Sequence, residues 1–198
     1  MKRLVILAFL AAGAAAPAAA QQHATDRGVW QLSGTVGFDH SDIAATGGSQ
    51  HSWTVDLLPT VGYFVTRGLA VELALGGTYG HSSFDSSLID EAQTTGWSIG
   101  PGLTYYFRRA PAQLHPYVGG RLFVGSTKIT LTDPTFGKMT SDFDNHGWDV
   151  NAGVLWLLSR NAGVSAQAYY SNIHSSYSSG SSDQHSLGLQ VGLSVFLY

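Results

Sequence analysis

The sequence predicts an all-β fold, an eight-stranded antiparallel up-and-down transmembrane β-barrel over residues 21–198, preceded by a signal peptide over residues 1–20. Three observations lead there. Apolar residues recur at every second position over several segments, each long enough to cross a bilayer as a tilted strand, which takes about 9 to 11 residues. The connections between these segments alternate long and polar with short and tight, and charged residues make up only 12% of the chain. An ordinary soluble domain carries about 25%.

The amino terminus reads as an export signal. Lys2 and Arg3 precede the apolar run from Leu4 to Ala16, and Ala18, Ala19 and Ala20 supply the small residues of a cleavage site. Without Lys2 and Arg3 the chain holds 8 basic and 13 acidic residues, a net charge of −5, which argues against nucleic acid as a partner. There is no cysteine, so disulfide frameworks, thiolate metal sites and cysteine nucleophiles are excluded.

Each strand follows from its alternation. From Gly28 to Phe38, Trp30, Leu32, Val36 and Phe38 share one face, opposite Gln31, Ser33 and Thr35. From His51 to Val65, Trp53, Val55, Leu57, Val61 and Tyr63 oppose Thr54, Asp56 and Thr60, and Pro59, lacking a donor, predicts a bulge or a gap in the ladder. After the turn Thr66-Arg67-Gly68, Leu69 to Tyr79 sets Val71, Leu73 and Leu75 against Ala70, Glu72, Ala74 and Thr78. Thr95 to Phe107 sets Trp97, Ile99, Leu103, Tyr105 and Phe107 against Ser98, Gly100, Gly102, Thr104 and Tyr106. In Pro116 to Gly125, Val118, Leu122 and Val124 oppose Tyr117, Arg121 and Phe123. Trp148, Val150, Ala152, Val154, Trp156 and Leu158 share the apolar face of the sixth strand, and Val164, Ala166, Ala168 and Tyr170 that of the seventh. The last, His185 to Tyr198, alternates most strictly: Leu187, Leu189, Val191, Leu193, Val195 and Leu197 occupy every odd position.

Polar loops are expected after the first, third, fifth and seventh strands, at 80–94, 126–145 and 172–184 among others, and short turns after the second, fourth and sixth. Transmembrane barrels place long loops outside the cell and short turns in the periplasm. Charge divides the same way: Arg67, Arg108, Arg109 and Arg160 lie at short turns, while Asp39, Asp42, Asp85, Asp90, Glu91, Asp133, Asp142, Asp144 and Asp183 lie in the long segments. Trp30, Tyr63, Tyr105 and Trp156, with Trp53, Tyr79 and Trp97, sit on apolar faces near strand ends, where amphipathic rings suit a membrane interface.

Taken together, the chain resembles small bacterial outer-membrane β-barrel proteins of the OmpA/OmpX-like superfamily. The resemblance rests on architecture and on the terminal strand, where Gln190, Gly192, Val195, Leu197 and Tyr198 fill the places of the C-terminal assembly signal, with Tyr198 one residue out of phase with the aliphatic stripe. It implies outer-membrane lipids and lipopolysaccharide around the wall, the barrel-assembly machinery as a partner of the last strand, no cofactor, and a structural or surface-interaction role without enzymatic activity. No soluble peptidoglycan-binding domain is expected, because the barrel uses the chain to its last residue. The oligomeric state stays open.

Three constellations bear on chemistry. Inward parity gathers Asp56, Glu72, Arg121, Asp149, Asn151, Gln167 and Gln190 in the lumen. Counting residues up from the turns places Glu72 and Arg121 at similar heights, with Gln167 beside them, and predicts a Glu72–Arg121 ion pair closing the periplasmic half; a narrow ion path is the alternative. Second, His40, His51, His81, His146, His174 and His185 cluster at outer strand ends among carboxylates, and His81, His146 and His174 are candidates for a rim metal site, although imidazole in a lysine-poor chain more often serves as a polar interfacial group. Third, His174-Ser175-Ser176 contains the H-x-S spacing that resembles the catalytic pair of outer-membrane lipid A deacylases, with Asp183 or another loop carboxylate as the supporting acid, although a serine-rich loop more often yields such a spacing by chance. A soluble ligand-binding barrel remains a minor alternative, since Gly28-Val29-Trp30 resembles the G-x-W of lipocalins, but no basic residue follows Arg160 to cover that tryptophan.

Overall fold

The computed structural model describes residues 23–45, 48–84, 91–107, 113–133, 137–177 and 180–198. The expected signal segment, Arg108, Arg109, Asp85 and Asp90 lie outside the described residues. Eight antiparallel strands follow one another around a closed barrel: β1 (Trp30–Ala45), β2 (Gly48–Thr66), β3 (Leu69–Phe84), β4 (Glu91–Tyr106), β5 (Leu114–Asp133), β6 (Gly137–Leu157), β7 (Ala162–Tyr177) and β8 (Gly180–Leu197). Strand number, order and the two faces agree with the sequence reading. Leu187, Leu189, Val191 and Leu193 on β8 are 80%, 79%, 65% and 67% exposed, so the apolar faces point out of the barrel toward lipid.

Over their described residues, the segments 126–145 and 172–184 read as long loops are instead paired strand. β5 and β6 pair without interruption up to Asp133 opposite Gly137, and β7 and β8 up to Tyr177 opposite Gly180. Alternation marks a strand only where one face meets hydrocarbon and the other does not. Beyond the bilayer both faces meet water, so the Ser- and Thr-rich extensions lose their periodicity while keeping their backbone pairing.

Prolines interrupt the ladders as their missing N–H requires. Between β2 and β3 the pairing stops after Leu57 and resumes at Thr60, a gap at Pro59, and between β4 and β5 it skips from Ile99 to Gly102 around Pro101. The register shift on β2 falls elsewhere, between Phe64 and Thr66, beside the turn to β3. Gly68 in that turn has φ +83°, and an added Cβ would lie 2.8 Å from the Tyr106 carbonyl oxygen, so only glycine fits there.

The strands are staggered around the barrel. One perpendicular row runs Gln31, Gly62, Glu72, Gly102, Arg121, Asp149, Ser171, Ser186. The β1–β8 register then places Ser186 level with Ser41, ten residues up β1 from where the row began. Such a stagger tilts every strand and makes a perpendicular row climb as it circles the wall.

The periplasmic end is sealed. Residues 23–29 fold beneath the barrel, where Gly68 N donates to Thr25 O (2.8 Å), Gly28 N donates to Phe64 O (2.9 Å), and Arg67 pairs with Asp26 at 3.2 Å. Val29, at the end of this segment, and Phe64, Leu155 and Phe196 above it are at most 1% exposed and pack with Tyr106 and Tyr117 into an apolar base.

Candidate functional site

Above that base the inward faces turn polar. Gln31 bonds Tyr106 (Nε2 to OH, 2.9 Å) and Ser194 (3.3 Å), both buried. A second chain crosses the lumen: Tyr117 OH donates to Gln167 Oε1 (2.9 Å), Gln167 Nε2 donates to Gln190 Oε1 (2.8 Å), and Thr35 Oγ1 donates to the same oxygen (3.2 Å). These groups satisfy one another, as buried polar groups in a narrow barrel must.

The expected Glu72–Arg121 pair does not form. Arg121 turns to Asp149, with Nε 2.7 Å and Nη2 2.6 Å from Oδ2, while Glu72 accepts a 2.9 Å hydrogen bond from Thr104 Oγ1. The strand order explains the difference. Glu72 and Arg121 do lie on one perpendicular row, as the count up from the turns expects, but Arg121 stands directly across from Asp149 on the neighbouring strand and two strands from Glu72, with Gly102 between them. Directly opposed Cβ atoms lie about 5 Å apart, against nearly 10 Å for side chains two strands apart. Gln167 likewise joins Tyr117 and Gln190 rather than Glu72. Asp56, Asp149 and Gln167 all line the lumen.

Arg121 and Asp149 form part of the floor of a cavity of about 640 Å³ in the outer half of the barrel. Its walls carry Asp56, bonded by Thr78 Oγ1 at 2.7 Å, and Asn145, whose Nδ2 donates to Thr127 at 2.7 Å, together with Thr94, Ser98, Asn151 and Gln190. The Arg121 guanidinium lies 5.0 Å from the Phe123 ring centroid, and its Nη1, like Asn145 Oδ1 and Asn151 Oδ1, is buried without a hydrogen-bond partner.

A second cluster lies on the outer wall. His146 and His174 face each other across β6 and β7 with ring centroids 4.9 Å apart, and His174 Nδ1 lies 2.7 Å from Asp183 Oδ1 on β8. Below it, Trp148 meets Tyr170 at 5.7 Å, and Tyr170 stacks on His185 at 6.1 Å, marking the outer aromatic belt. His81 does not join this cluster. It lies on β3 against Trp53, three strands from β6, so the proposed three-histidine rim is split, and no group of three or more His, Asp or Glu residues is arranged to hold a metal among the described residues.

On β8, the C-terminal signal residues divide by face. Gln190 points inward into the lumen chain, and Gly192 packs where a Cβ would lie 2.8 Å from Gly34 O and from Ser165 Oγ. Val195 and Leu197 continue the aliphatic stripe, and Tyr198 bonds the Arg160 carbonyl at 2.6 Å. Missed in the sequence were Phe64, Leu155 and Phe196. Their inward parity was the available signal, at strand ends where the polar face becomes apolar.

Comparison with known proteins completes the picture. The family described as outer membrane protein beta-barrel domain matches residues 5–194. The fold is similar to that of OprG of Pseudomonas aeruginosa (TM-score 0.53, 15% identity, 89% of this chain and 100% of that one). It is similar also to Neisserial surface protein A (TM-score 0.51, 17% identity, 84% and 96%) and to Ail, the attachment invasion locus protein of Yersinia pestis (TM-score 0.50, 15% identity, 86% and 99%). Among curated proteins no sequence matches.

Proposed function

We propose a surface-interaction role, on the premise that this chain belongs to the outer membrane protein β-barrel domain family and resides in the bacterial outer membrane. The observation that carries the proposal is the length of the strands. A tilted strand crosses the bilayer in about 9 to 11 residues, whereas β5 and β6 have 20 and 21. The surplus stands on the outer side as paired sheet, Gly125–Asp133 against Gly137–Asn145, with Lys128 and Asp142 3.8 Å apart on it. A preformed sheet offers a fixed pattern of hydroxyls and carboxylates, so a partner does not have to order a loop on binding. The sealed base fits a barrel that does not serve as a diffusion pore.

Lipopolysaccharide and outer-membrane lipids surround the wall in this reading, and the barrel-assembly machinery engages the last strand through Gln190, Gly192, Val195, Leu197 and Tyr198. The export segment 1–20 is removed on the way. To test the role, residues 129–141 are replaced by an Asn-Gly hairpin turn, which type I′ geometry favours, and bacteria producing either form are compared for adhesion and aggregation. The shortened barrel is expected in the outer membrane, still heat-modifiable on gels, with adhesion lost. Unchanged adhesion refutes the role, and steady conductance in planar bilayers would favour an ion path.

A second reading rests on the 2.7 Å contact between His174 and Asp183. Asp183 holds Nδ1, and Ser176 lies two residues along on the same face of β7, the residue types that ester hydrolysis by an activated serine requires. A lipid A deacylase assay on purified protein, with His174→Ala and Ser176→Ala as controls, decides it. Activity lost in both variants establishes the enzyme, and no activity in the parent removes it.

A further inference from the structure

We propose that this protein is its own partner across two facing membranes, the free outer edge of β6 pairing antiparallel with the same edge of a second copy. The proposal rests on the surface-interaction role and names the partner. The first observation is a hairpin that outgrows its neighbour. β6 pairs with β5 up to Gly137 opposite Asp133, but its pairing with β7 begins only at Asp144 opposite Ser176. β7 then turns back into β8, with Tyr177 facing Gly180. Residues 137–143 are therefore extended strand with β5 on one side and, among the described residues, no strand on the other. They lie beyond Trp148, which marks the outer aromatic belt, and residues 137–142 are exposed. Such an edge presents a row of backbone donors and acceptors to any strand that matches it.

The second observation is that the edge is complementary to itself. Two copies of one strand pair antiparallel about a twofold axis perpendicular to the sheet, and directly opposite side chains share a face, so the axis passes through a residue. With the axis at Thr140, Lys138 of each copy stands opposite Asp142 of the other, Met139 opposite Ser141, and Gly137 opposite Phe143. The whole free edge is then used. An axis at Ser141 would bring the second copy's Lys138 level with Asp144, where β7 already sits at Ser176. An axis at Met139 sets Lys138 opposite Thr140 and loses the charge pairs. Opposite charges facing each other across two strands stabilise the pairing, and like charges oppose it. Lysine on an edge ordinarily guards it against pairing, but here Asp142 answers it. Asp142 would stand between Lys128 of its own copy, 3.8 Å away on β5, and Lys138 of the second. On the other face Met139, 52% exposed, gains Met139 and Phe143 of the second copy as diagonal neighbours.

The same symmetry decides where the second copy stands. The hairpin continues the barrel wall, so an axis perpendicular to the sheet runs radially, at a right angle to the barrel axis. Half a turn about it inverts the barrel. Copies in one membrane share one orientation, so this pairing does not join neighbours in a bilayer. It joins barrels whose outer mouths face each other from two membranes.

The test uses the whole barrel reconstituted in phosphatidylcholine vesicles, with clustering read by light scattering and by fluorescence cross-correlation between two lipid dyes. The parent is expected to cluster vesicles. Lys138→Asp sets like charges opposite each other at both symmetric positions, and Asp142→Lys does the same with the other sign, so each variant alone should cluster about tenfold less. Mixing vesicles of the two variants makes every charged pair complementary again and should restore clustering. Thr140→Cys, on the axis of a chain that has no cysteine, should on oxidation link differently tagged copies held in separate vesicles, whereas Thr132→Cys on β5 should not. Heat-modifiable migration checks that each variant is folded. No clustering by the folded parent, clustering indifferent to the charge variants, or mixed vesicles that fail to recover it overturns the proposal. So does Thr140→Cys linkage confined to copies in one vesicle, which would assign the edge to side-by-side neighbours. If replacing residues 129–141 abolishes bacterial adhesion while the parent clusters no vesicles, the self-pairing falls and the surface role stands with another partner. Adhesion unaffected by that replacement removes the role itself.

Discussion

Replacing Arg121 by Met leaves Asp149 at the cavity floor without the guanidinium that holds it at 2.6 to 2.7 Å. The two side chains are 15% and 10% exposed, so the pair is close to dry on its lower side and meets the cavity above. Breaking a buried pair by removing one partner costs about 3 to 5 kcal/mol. The cavity beside Asp149 lets solvent reach the orphaned carboxylate, which places the expected loss near the lower bound, about 3 kcal/mol. Arg121→Met/Asp149→Leu, which removes both charges and keeps volume, is expected to lie within about 1 kcal/mol of the parent, because well-packed apolar replacement of an ion pair is often neutral or better. Reversible urea unfolding in lipid vesicles, followed by tryptophan fluorescence, supplies the double-mutant cycle. The coupling of Arg121 with Asp149 should exceed about 2 kcal/mol, whereas that of Arg121 with Glu72, tested through Glu72→Gln, should stay within about 0.5 kcal/mol, as for residues sharing no direct contact. A larger coupling to Glu72 than to Asp149 would falsify this assignment.

Three further outcomes follow from the wall and its glycines. Val191→Arg, on the lipid face at mid-height and 65% exposed, should cost about 2 to 4 kcal/mol, and Leu197→Arg at the periplasmic rim about 0 to 1; equal costs in vesicle unfolding would contradict the membrane placement. Gly100→Ala would drive its Cβ into the Leu122 carbonyl, whereas Gly77 has nothing within 4 Å of an added Cβ. The first should therefore lower stability by about 1 to 3 kcal/mol while the second is tolerated, read from urea midpoints. Asp183→Asn removes a pair in which His174 is 33% and Asp183 64% exposed, so folding stability should change by no more than about 1 kcal/mol; a larger loss would show the outer cluster to be a structural clamp.

The terminal strand shows how much the sequence alone determined. Leu187 through Leu197 at every odd position set the outward face, and the same parity rule placed Asp56, Glu72, Arg121, Asp149 and Gln167 inside, because a strand's side chains alternate whatever its neighbours do. Eight strands, their order and the aromatic belts followed from the same rule. It was silent wherever hydrocarbon no longer contrasted the two faces, so Ser126 to Asn145 read as loop although Ser126–Asp133 and Gly137–Asn145 are paired sheet. It was silent also on who meets whom across the lumen. Parity is a property of one strand, but the partnership of Arg121 with Asp149 instead of Glu72 depends on the β5–β6 register, which sets those two directly opposite while Glu72 stands on the same row two strands away. The early end of that closure, at Val36 opposite Val191, is likewise a property of two strand edges more than 150 residues apart, which no local pattern of residues encodes.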